Sequence, residues 1–277
     1  MTLQRTILYI AIILLCVVWI VPLVTVVFAS FKPEAEILGG NPLSPPSSIY
    51  LGNYSESLTE GSPPLVNAFV NTLIITVFAV LGSVFIGALA AYPLSRLKFR
   101  GSNMIYMILI FGMMFPHQLV MVPLYQTANF LGLYGSVTGN FIAVILAHII
   151  FGVPFCAFIL AGFFRNIPRS LQDAAMMDGC SHFSFFYKII LRLALPALAV
   201  ISLLQFTGIY NDMLWALVLM RDSSTYPVAT TLASLSTTSG TPYGLLCAAG
   251  FLAALPTLLL FVFLQKYFIK GLAAVGR

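Results

Sequence analysis

Six long apolar stretches, separated by shorter polar segments, dominate the pattern of residues along the chain. A helix that crosses the roughly 30 Å hydrocarbon core of a bilayer needs about 20 predominantly apolar residues. The stretches that satisfy this length cover residues 7–29, 67–94, 104–124, 140–164, 193–214 and 245–268. The pattern therefore predicts an all-α integral membrane protein with six transmembrane helices.

Proline occurs inside four of these stretches, at Pro22, Pro116, Pro154 and Pro256. A proline breaks a helix in water, but in a membrane bundle the neighbouring helices can satisfy the backbone groups that it frees. We therefore expect kinked, continuous spans. The end of the first span resembles the cleavage site of a secretory signal peptide. Its apolar run of about 23 residues, however, exceeds the 7–15 residues of a signal-peptide core, so we expect that the first span is not cleaved from the protein.

The composition agrees with a membrane protein. Of the 277 residues, 60% are hydrophobic and 8% are charged, whereas an ordinary soluble domain is about 45–50% apolar and about 25% charged. This apolar excess excludes a soluble globular fold. The sequence GxxxxGK[ST] does not occur, so the chain does not bind ATP through a P-loop. The spans hold no cluster of nucleophile, base or metal ligands, so we expect no catalytic site, metal site or cofactor on the chain itself.

The basic residues predict the orientation. When the spans alternate across the membrane, all of the 13 Lys and Arg residues except Lys32 and Arg221 fall on one side. Those on that side are Arg5, Arg96, Lys98, Arg100, Arg165, Arg169, Lys188, Arg192, Lys266, Lys270 and Arg277. The acidic residues on the other side are Glu34, Glu36, Glu56, Glu60 and Asp222. Because cytoplasmic loops carry the excess of Lys and Arg, we expect both termini in the cytoplasm.

Two external segments stand out by length. Residues 30–66 are rich in Pro, Ser, Gly and Asn and predict an ordered loop without a core of its own, and residues 220–244 are rich in Ser and Thr. We therefore divide the chain into a first helix with its external loop (1–66), a core of five spans with a cytoplasmic loop at 165–195 (67–271), and a cytoplasmic tail (272–277).

The cytoplasmic loop between the fourth and fifth spans predicts two short helices joined by a glycine, a segment that we call the elbow (residues 171–188). Ser170 can cap the first helix, with Asp173 three residues later completing a capping box. Gly179 permits the left-handed conformation that ends helices, and Ser181 can cap the second helix.

The second arm of the elbow carries four aromatic residues, Phe183, Phe185, Phe186 and Tyr187. Large exposed apolar patches usually mark interfaces, so these side chains favour a partner protein. Packing back onto the bundle or the membrane surface is the alternative, and the residues alone favour neither.

The elbow also resembles a known family. The run LQDAAMMDGCS (171–181), followed by Phe186, Ile189 and Pro196, resembles the "EAA" loop of permease subunits of binding-protein-dependent ABC importers. The segments SFKPE (30–34), NY (53–54), NAFVNT (67–72) and QKYFIKGL (265–272) resemble the smaller, six-span permease of the maltose-transporter type. Three positions depart from the family pattern: Asp173 replaces the usual Glu, Cys180 an Ala, and Arg192 a common Pro. The resemblance implies a type I ABC importer permease fold.

The resemblance implies a permease subunit of an ATP-driven importer for a carbohydrate or sugar-like solute, in the cytoplasmic membrane of a bacterium or archaeon. The implied partners are a second, different permease subunit, two cytoplasmic ATPase subunits that carry ATP-Mg, and an extracytoplasmic solute-binding protein. The implied contacts with the ATPases are Leu171, Asp173, Ala174, Ala175, Met177, Asp178, Gly179, Ser181, Phe183, Phe186 and Lys188. The implied contacts with the binding protein are Asp222, Ser223, Thr237, Thr238, Ser239 and Gly240.

Polar residues within the spans are candidates for a solute path. They are Gln118, Asn140, Gln205, Asn211, Asp212 and Trp215. The alternatives are hydrogen bonds between helices for the amides, and an interfacial position for Asp212 and Trp215. His148 is more typical of a hydrogen-bonded bundle residue than of a ligand.

Two other classes of membrane protein are less favoured. An ion-coupled secondary transporter needs acidic or histidine relays at mid-membrane, and apart from His148 such residues are nearly absent. A membrane-embedded enzyme lacks the cluster of reactive side chains that it would need. Copurification of an ATPase subunit would favour the importer, and transport driven by a proton gradient would favour the secondary transporter.

Overall fold

The computed structural model describes residues 3–59, 63–238 and 240–275, and these ranges are almost entirely helical. Glu60, Ser239 and Arg277 lie outside the described residues, as do the side chains of Lys266 and Lys270. The helices are Leu3–Ser30 (α1), Glu34–Gly39 (α2), Gly52–Thr59 (α3), Leu65–Arg96 (α4), Ser102–Met114 (α5), His117–Phe130 (α6), Val137–Asn166 (α7), Arg169–Met177 (α8), His182–Phe185 (α9), Leu191–Leu193 (α10), Leu195–Tyr210 (α11), Leu214–Leu219 (α12), Val228–Thr237 (α13) and Tyr243–Val275 (α14). A π-helical turn at Phe186–Ile190 joins α9 to α10, and a 3₁₀ turn at Ser223–Thr225 precedes α13.

Four helices of the described ranges are long and apolar enough to cross a membrane: α1, α4, α7 and the first 21 residues of α14. Two bent pairs, α5 with α6 and residues 182–193 with α11, raise the number to 6 if each pair is one span. The predicted all-α membrane fold with six spans is therefore confirmed.

The third and fifth spans are not the continuous helices that the sequence predicts. α5 ends at Met114 and α6 begins at His117, with 97° between them. Phe115 lies between them in an extended conformation, because the residue before a proline avoids the helical region. The expectation that Pro116 merely kinks its span is thus wrong, whereas Pro22, Pro154 and Pro256 do lie inside helices. The fifth span ends at Tyr210, and Leu214 begins the separate helix α12.

The centre of the molecule is the close packing of α4 against α7. A β-carbon at Gly87 would collide with Cys156, and one at Gly152 would lie 2.9 Å from the Ser83 Cβ. Small residues of this kind let transmembrane helices approach closely where lipid is as apolar as the protein. The two helices are therefore one closely packed unit that spans the bundle.

The described residues of both predicted external segments make specific contacts. The Asn53 amide donates to the carbonyls of Ser30 and Lys32 at 3.0 and 2.8 Å. Lys32 is 2% exposed, and its Nζ donates to Ser44 Oγ at 3.1 Å. Residues 30–59 of the predicted loop thus contain α2 and α3 and are held by these hydrogen bonds. The second segment contains α13, whose buried Val228 packs with Leu65 and Ala68 of α4 and Ala249 and Ala253 of α14.

Candidate functional site

The elbow has the predicted helix–glycine–helix form but a different start. α8 begins at Arg169 after Pro168, with no side-chain cap, so Ser170 lies inside the first turn and the predicted capping box is wrong. Proline is favourable just before or at a helix start because the first amides have no helical acceptor. Gly179 has φ 80°, the left-handed conformation predicted for it. Ser181 Oγ accepts from the Ser184 amide at 3.2 Å, which confirms the cap of α9.

The elbow has an inner and an outer face, and the aromatic residues divide between them. Phe185 and Phe186 are buried against Tyr92, whereas Phe183 and Tyr187 are 70% and 63% exposed. Two of the four aromatic rings of the second arm therefore pack on the bundle, and the other two are exposed and could contact a partner protein.

The expected ATPase contacts divide in the same way. Ala175 and Phe186 are buried in the core with Phe164 and Ile167, so they support the elbow from inside rather than forming its surface. The expected contacts that the structure leaves exposed are Leu171, Asp173, Ala174, Met177, Asp178, Gly179, Ser181, Phe183 and Lys188. We call these nine residues the outer face of the elbow.

The end of α4 holds the elbow at two points. The Tyr92 ring centroid lies 5.1 Å from that of Phe186, and the Tyr92 hydroxyl is 3.5 Å from His182 Nδ1. One turn later, an Arg96 guanidinium nitrogen donates to the Ile167 carbonyl at 2.7 Å, immediately before Pro168 and α8. The sequence identified Arg96 only as a cytoplasmic charge, because its long-range contact has no local signal.

A cavity of about 280 Å³ lies inside the bundle, where the break between α5 and α6 faces α7, α11 and α12. Its lining residues are Gly112, Met113, His117, His148, Phe151, Gly152, Phe155, Gln205, Gly208, Ile209, Asp212 and Trp215. The α5–α6 break brings His117 to this cavity, so the proline that interrupts the third span also shapes the site.

One wall of the cavity consists of three neighbouring rings, of which Phe151 and Trp215 are stacked and His117 is tilted against both. The Phe151 and Trp215 centroids are 5.1 Å apart with an interplanar angle of 24°. The His117 ring lies 4.9 Å from Phe151 and 5.7 Å from Trp215. Trp215 is 2% exposed, so it belongs to the bundle interior and not to an interfacial aromatic belt.

Polar side chains form another part of the cavity lining. His148 Nε2 lies 3.8 Å from Asp212 Oδ2, and the same oxygen accepts from the Trp215 amide at 3.0 Å. Gln205 Nε2 donates to the Gly152 carbonyl at 3.1 Å. The cavity thus combines an aromatic surface with a carboxylate, an amide and imidazoles.

Three of the six candidate path residues line this cavity, namely Gln205, Asp212 and Trp215. The other three do not. Asn140 is buried and its Oδ1 accepts from the Gly135 amide at 3.2 Å. Asn211 is exposed and bonds to the Thr207 carbonyl, and Gln118 is exposed beside His117. Sequence reasoning missed His117 and Phe151; a histidine directly after a proline within a span was the available signal.

The expected contacts with a binding protein form two separate groups. Asp222 is exposed and accepts from the Ser224 amide at 2.9 Å, next to the half-buried Ser223. Thr237, Thr238 and Gly240 are exposed at the far end of α13, a helix about 15 Å long. The described residues contain no group of three His, Cys, Asp or Glu side chains suited to a metal ion.

Comparison with known proteins gives a consistent result. Residues 83–273 match the family described as "Binding-protein-dependent transport system inner membrane component". An arabinooligosaccharide transport system permease of Halalkalibacterium halodurans is 32% identical, over 92% of this chain and 90% of that protein. A xylose/arabinose import permease of Haloferax volcanii is 31% identical, over 92% and 87%. A chain of a bacterial ABC transporter involved in alginate import has the same fold, with a TM-score of 0.81 and 24% identity over 97% of this chain and 99% of that one.

Proposed function

Because the chain belongs to the family of binding-protein-dependent transport system inner membrane components, we propose that it is the permease subunit of an ATP-driven importer whose solute is a carbohydrate or sugar-like compound. As a multi-pass inner membrane permease, the chain has no catalytic site of its own, and ATP is hydrolysed on partner subunits. The observation that carries the choice of solute is the cavity that combines Phe151, Trp215 and Asp212.

The cavity suits a sugar because of its two kinds of surface. The apolar face of a sugar ring packs on an aromatic ring, and its hydroxyls need acceptors and donors placed at fixed positions. Phe151, supported from behind by the buried Trp215, supplies the first, and Asp212 and Gln205 supply the second. Relatives named for arabinooligosaccharides and for xylose and arabinose support this solute class.

The solute class can be tested on the partner binding protein by calorimetry. Arabinotriose, xylobiose, diacetylchitobiose and an amino acid mixture serve as probes, the first three chosen from the names of relatives. We expect binding of at least one saccharide and none of the amino acids. Binding of amino acids alone would contradict the proposal.

We further propose that the outer face of the elbow receives one of two ATPase subunits, which carry ATP-Mg. Met177 and Phe183 are 88% and 70% exposed there, in a part of the chain that lies outside the predicted bilayer. Apolar side chains in that position favour a protein partner. The inner face, held by Phe185 and Phe186 under Tyr92, would pass the movement of the ATPases to the bundle.

The remaining partners complete an importer. A second, different permease would supply the other half of the path, and an extracytoplasmic binding protein would deliver the solute near Asp222, Ser223 and the tip of α13. Both termini would lie in the cytoplasm of a bacterium or archaeon, with the core of five spans at 67–271 between the first helix and the tail. The sidedness of Lys and Arg supports this orientation.

A further inference from the structure

We propose that α4 carries the movement of the elbow to the wall of the cavity, with Tyr92 and Arg96 as positioning residues at its cytoplasmic end. This inference rests on the proposed role of the elbow in coupling. The helix has 32 residues and is therefore about 48 Å long, enough to reach from the elbow to the external segments.

The cytoplasmic end of α4 contacts the second arm of the elbow and the residue that leads into the first. Tyr92 packs on Phe186 of the second arm and lies within 3.5 Å of His182. Arg96 bonds to Ile167, which leads into the first arm through Pro168. Because Tyr92 and Arg96 are four residues apart, they lie on one face of the helix and hold the second arm and the start of the first from the same side.

Burying the charged Arg96 at the end of α4 costs desolvation free energy, and this cost indicates a specific role for the residue. It is 7% exposed, its Nε has no hydrogen-bond partner, and within the described ranges no carboxylate lies within ion-pair distance of it. A buried charge without a counter-ion destabilises a structure unless its hydrogen bonds compensate. The 2.7 Å bond to the Ile167 carbonyl is therefore the contact that fixes this side chain and, with it, the start of α8.

The middle of α4 moves with α7. Gly87 and Gly152 allow no side chain between the two helices, and Ser83 packs directly against Gly152. On the other side of Gly152, Gln205 of α11 bonds to its carbonyl. Closely packed interiors shift as units and do not deform continuously, so a displacement at Arg96 reaches the level of the cavity.

The outer end of α4 holds the structure that carries Trp215. Ile75 and Ala79 share a core with Trp215 and Leu219 of α12. The Asn71 amide donates to the carbonyls of Ser224 and Tyr226 at 3.0 and 3.2 Å, and Thr72 Oγ1 accepts from the Val228 amide at 2.8 Å. One helix thus contacts the elbow at one end and the cavity wall and the α12–α13 segment at the other.

The test uses a thiol placed in the cavity of the assembled complex with its ATPases. Gly208 lines the cavity, and a β-carbon there meets no atom within 4 Å, so Gly208→Cys introduces a reporter without a clash. The four native cysteines are replaced by serine. The rate at which (2-sulfonatoethyl) methanethiosulfonate modifies the thiol, forming a mixed disulfide and releasing methanesulfinate, is measured without nucleotide and with ATP and vanadate. We expect the rate to differ between the two conditions, because the cavity wall moves.

Three variants then test α4 at matched permease levels. Arg96→Gln should reduce the ATP-dependent change in modification rate about tenfold, the effect of losing a hydrogen bond from a charged group, while ATPase subunits still copurify. Tyr92→Leu, which removes the ring contact with Phe186 and the contact with His182, should also reduce it. Arg96→Lys should restore most of the change, since an ammonium group can donate to Ile167. Lys98→Gln, an exposed residue on the same loop, is the matched control and should behave as the unaltered chain.

The outcomes separate this inference from the proposed function. A full ATP-dependent change in Arg96→Gln and Tyr92→Leu, beside a lost change in the outer-face variant Asp173→Ala, would overturn the role of α4 alone. Normal copurification and a full change in Asp173→Ala would instead overturn the proposed coupling surface. If Arg96→Gln fails to reach the membrane, Tyr92→Leu, which leaves the bond to Ile167 in place, decides by the same measurement.

Discussion

The Nε2 atom of His148, on α7, lies 3.8 Å from Oδ2 of Asp212, in the link between α11 and α12. These are two ionisable side chains within predicted spans, and both line the cavity beside Trp215. Ionisable residues at membrane depth are costly and mostly face a bundle interior or a water-filled path, where they serve function. We therefore expect the pair to anchor solute hydroxyls in the cavity.

The aromatic wall should bind solute through Trp215. We expect Trp215→Ala to raise the KM for uptake about threefold to tenfold, the range given by aromatic packing energies. Trp19→Phe is the matched control, because Trp19 is the other of two tryptophans and is 72% exposed on α1. An unchanged KM in Trp215→Ala would exclude the ring from the solute path.

The fluorescence of Trp215 offers a direct binding assay. In the Trp19→Phe chain, Trp215 is the remaining tryptophan of this subunit, and it lines the cavity. We expect arabinotriose to change its emission in a saturable way in the detergent-solubilised permease, whereas sodium chloride at equal osmolarity should not. Emission that stays constant through millimolar sugar would argue against a solute site at this wall.

His148 and Asp212 should act as a unit. Asp212→Asn keeps the shape of the side chain but removes its charge, and His148→Gln keeps a polar group. We expect each single variant to lower the uptake rate and the double variant to be no worse than the poorer single one, because contacting residues couple in double-mutant cycles. Effects that multiply would show that the two side chains act independently.

The turn at Gly179 should be required for the ATPases to bind. Gly179 has φ 80°, where a β-branched residue costs on the order of 1–2 kcal/mol. We expect Gly179→Val to insert normally but to recover less ATPase subunit in a pull-down. Gly101→Val is the control: Gly101 has φ 88° and lies in another loop predicted to be cytoplasmic, and an added Cβ there meets no atom within 4 Å. Equal losses in both variants would indicate general strain and not a lost contact.

We expect the protein to fold after the segment at 220–244 is shortened only if the deleted residues lie at its tip, at the end of α13. Val228 and Thr231 of α13 are buried, so removal of about ten residues would open the core shared with α4 and α14. Ser236, Thr237, Thr238 and Gly240 are exposed. We expect replacement of residues 236–240 by two glycines to reduce uptake while leaving the amount of ATPase in the complex unchanged. Uptake at the original rate would remove the tip from the proposed contact with the binding protein.

Removal of residues 272–277 tests the tail. α14 continues through Gly271 to Val275, so the backbone does not bend at that glycine, and Gly276 lies outside the described residues. A contact with the ATPases predicts that the truncated permease stimulates ATP hydrolysis less. A purely electrostatic anchor predicts normal stimulation at matched membrane levels.

The sequence by itself determined the membrane class, the positions of the spans and the elbow. Apolar length is a local property, and an 18-residue window of α1 or α4 carries it without reference to any neighbour. Gly179 and Ser181 were predictable for the same reason, since a left-handed turn and a helix cap depend on one residue and its adjacent amides.

Only the tertiary structure decided which side chains meet. His148, Asp212 and Trp215 come from other elements to one cavity, and the break at Pro116, whose 97° angle the sequence did not predict, adds His117 to them. The sequence also did not predict that Phe183 is exposed while Phe186 is buried, or that Arg96 is buried. In a membrane, lipid is as apolar as the packed interior, so hydropathy marks each helix but does not tell which of its faces touches protein. Close packing of small residues such as Gly87 and Gly152, together with a few long-range hydrogen bonds, supplies that information.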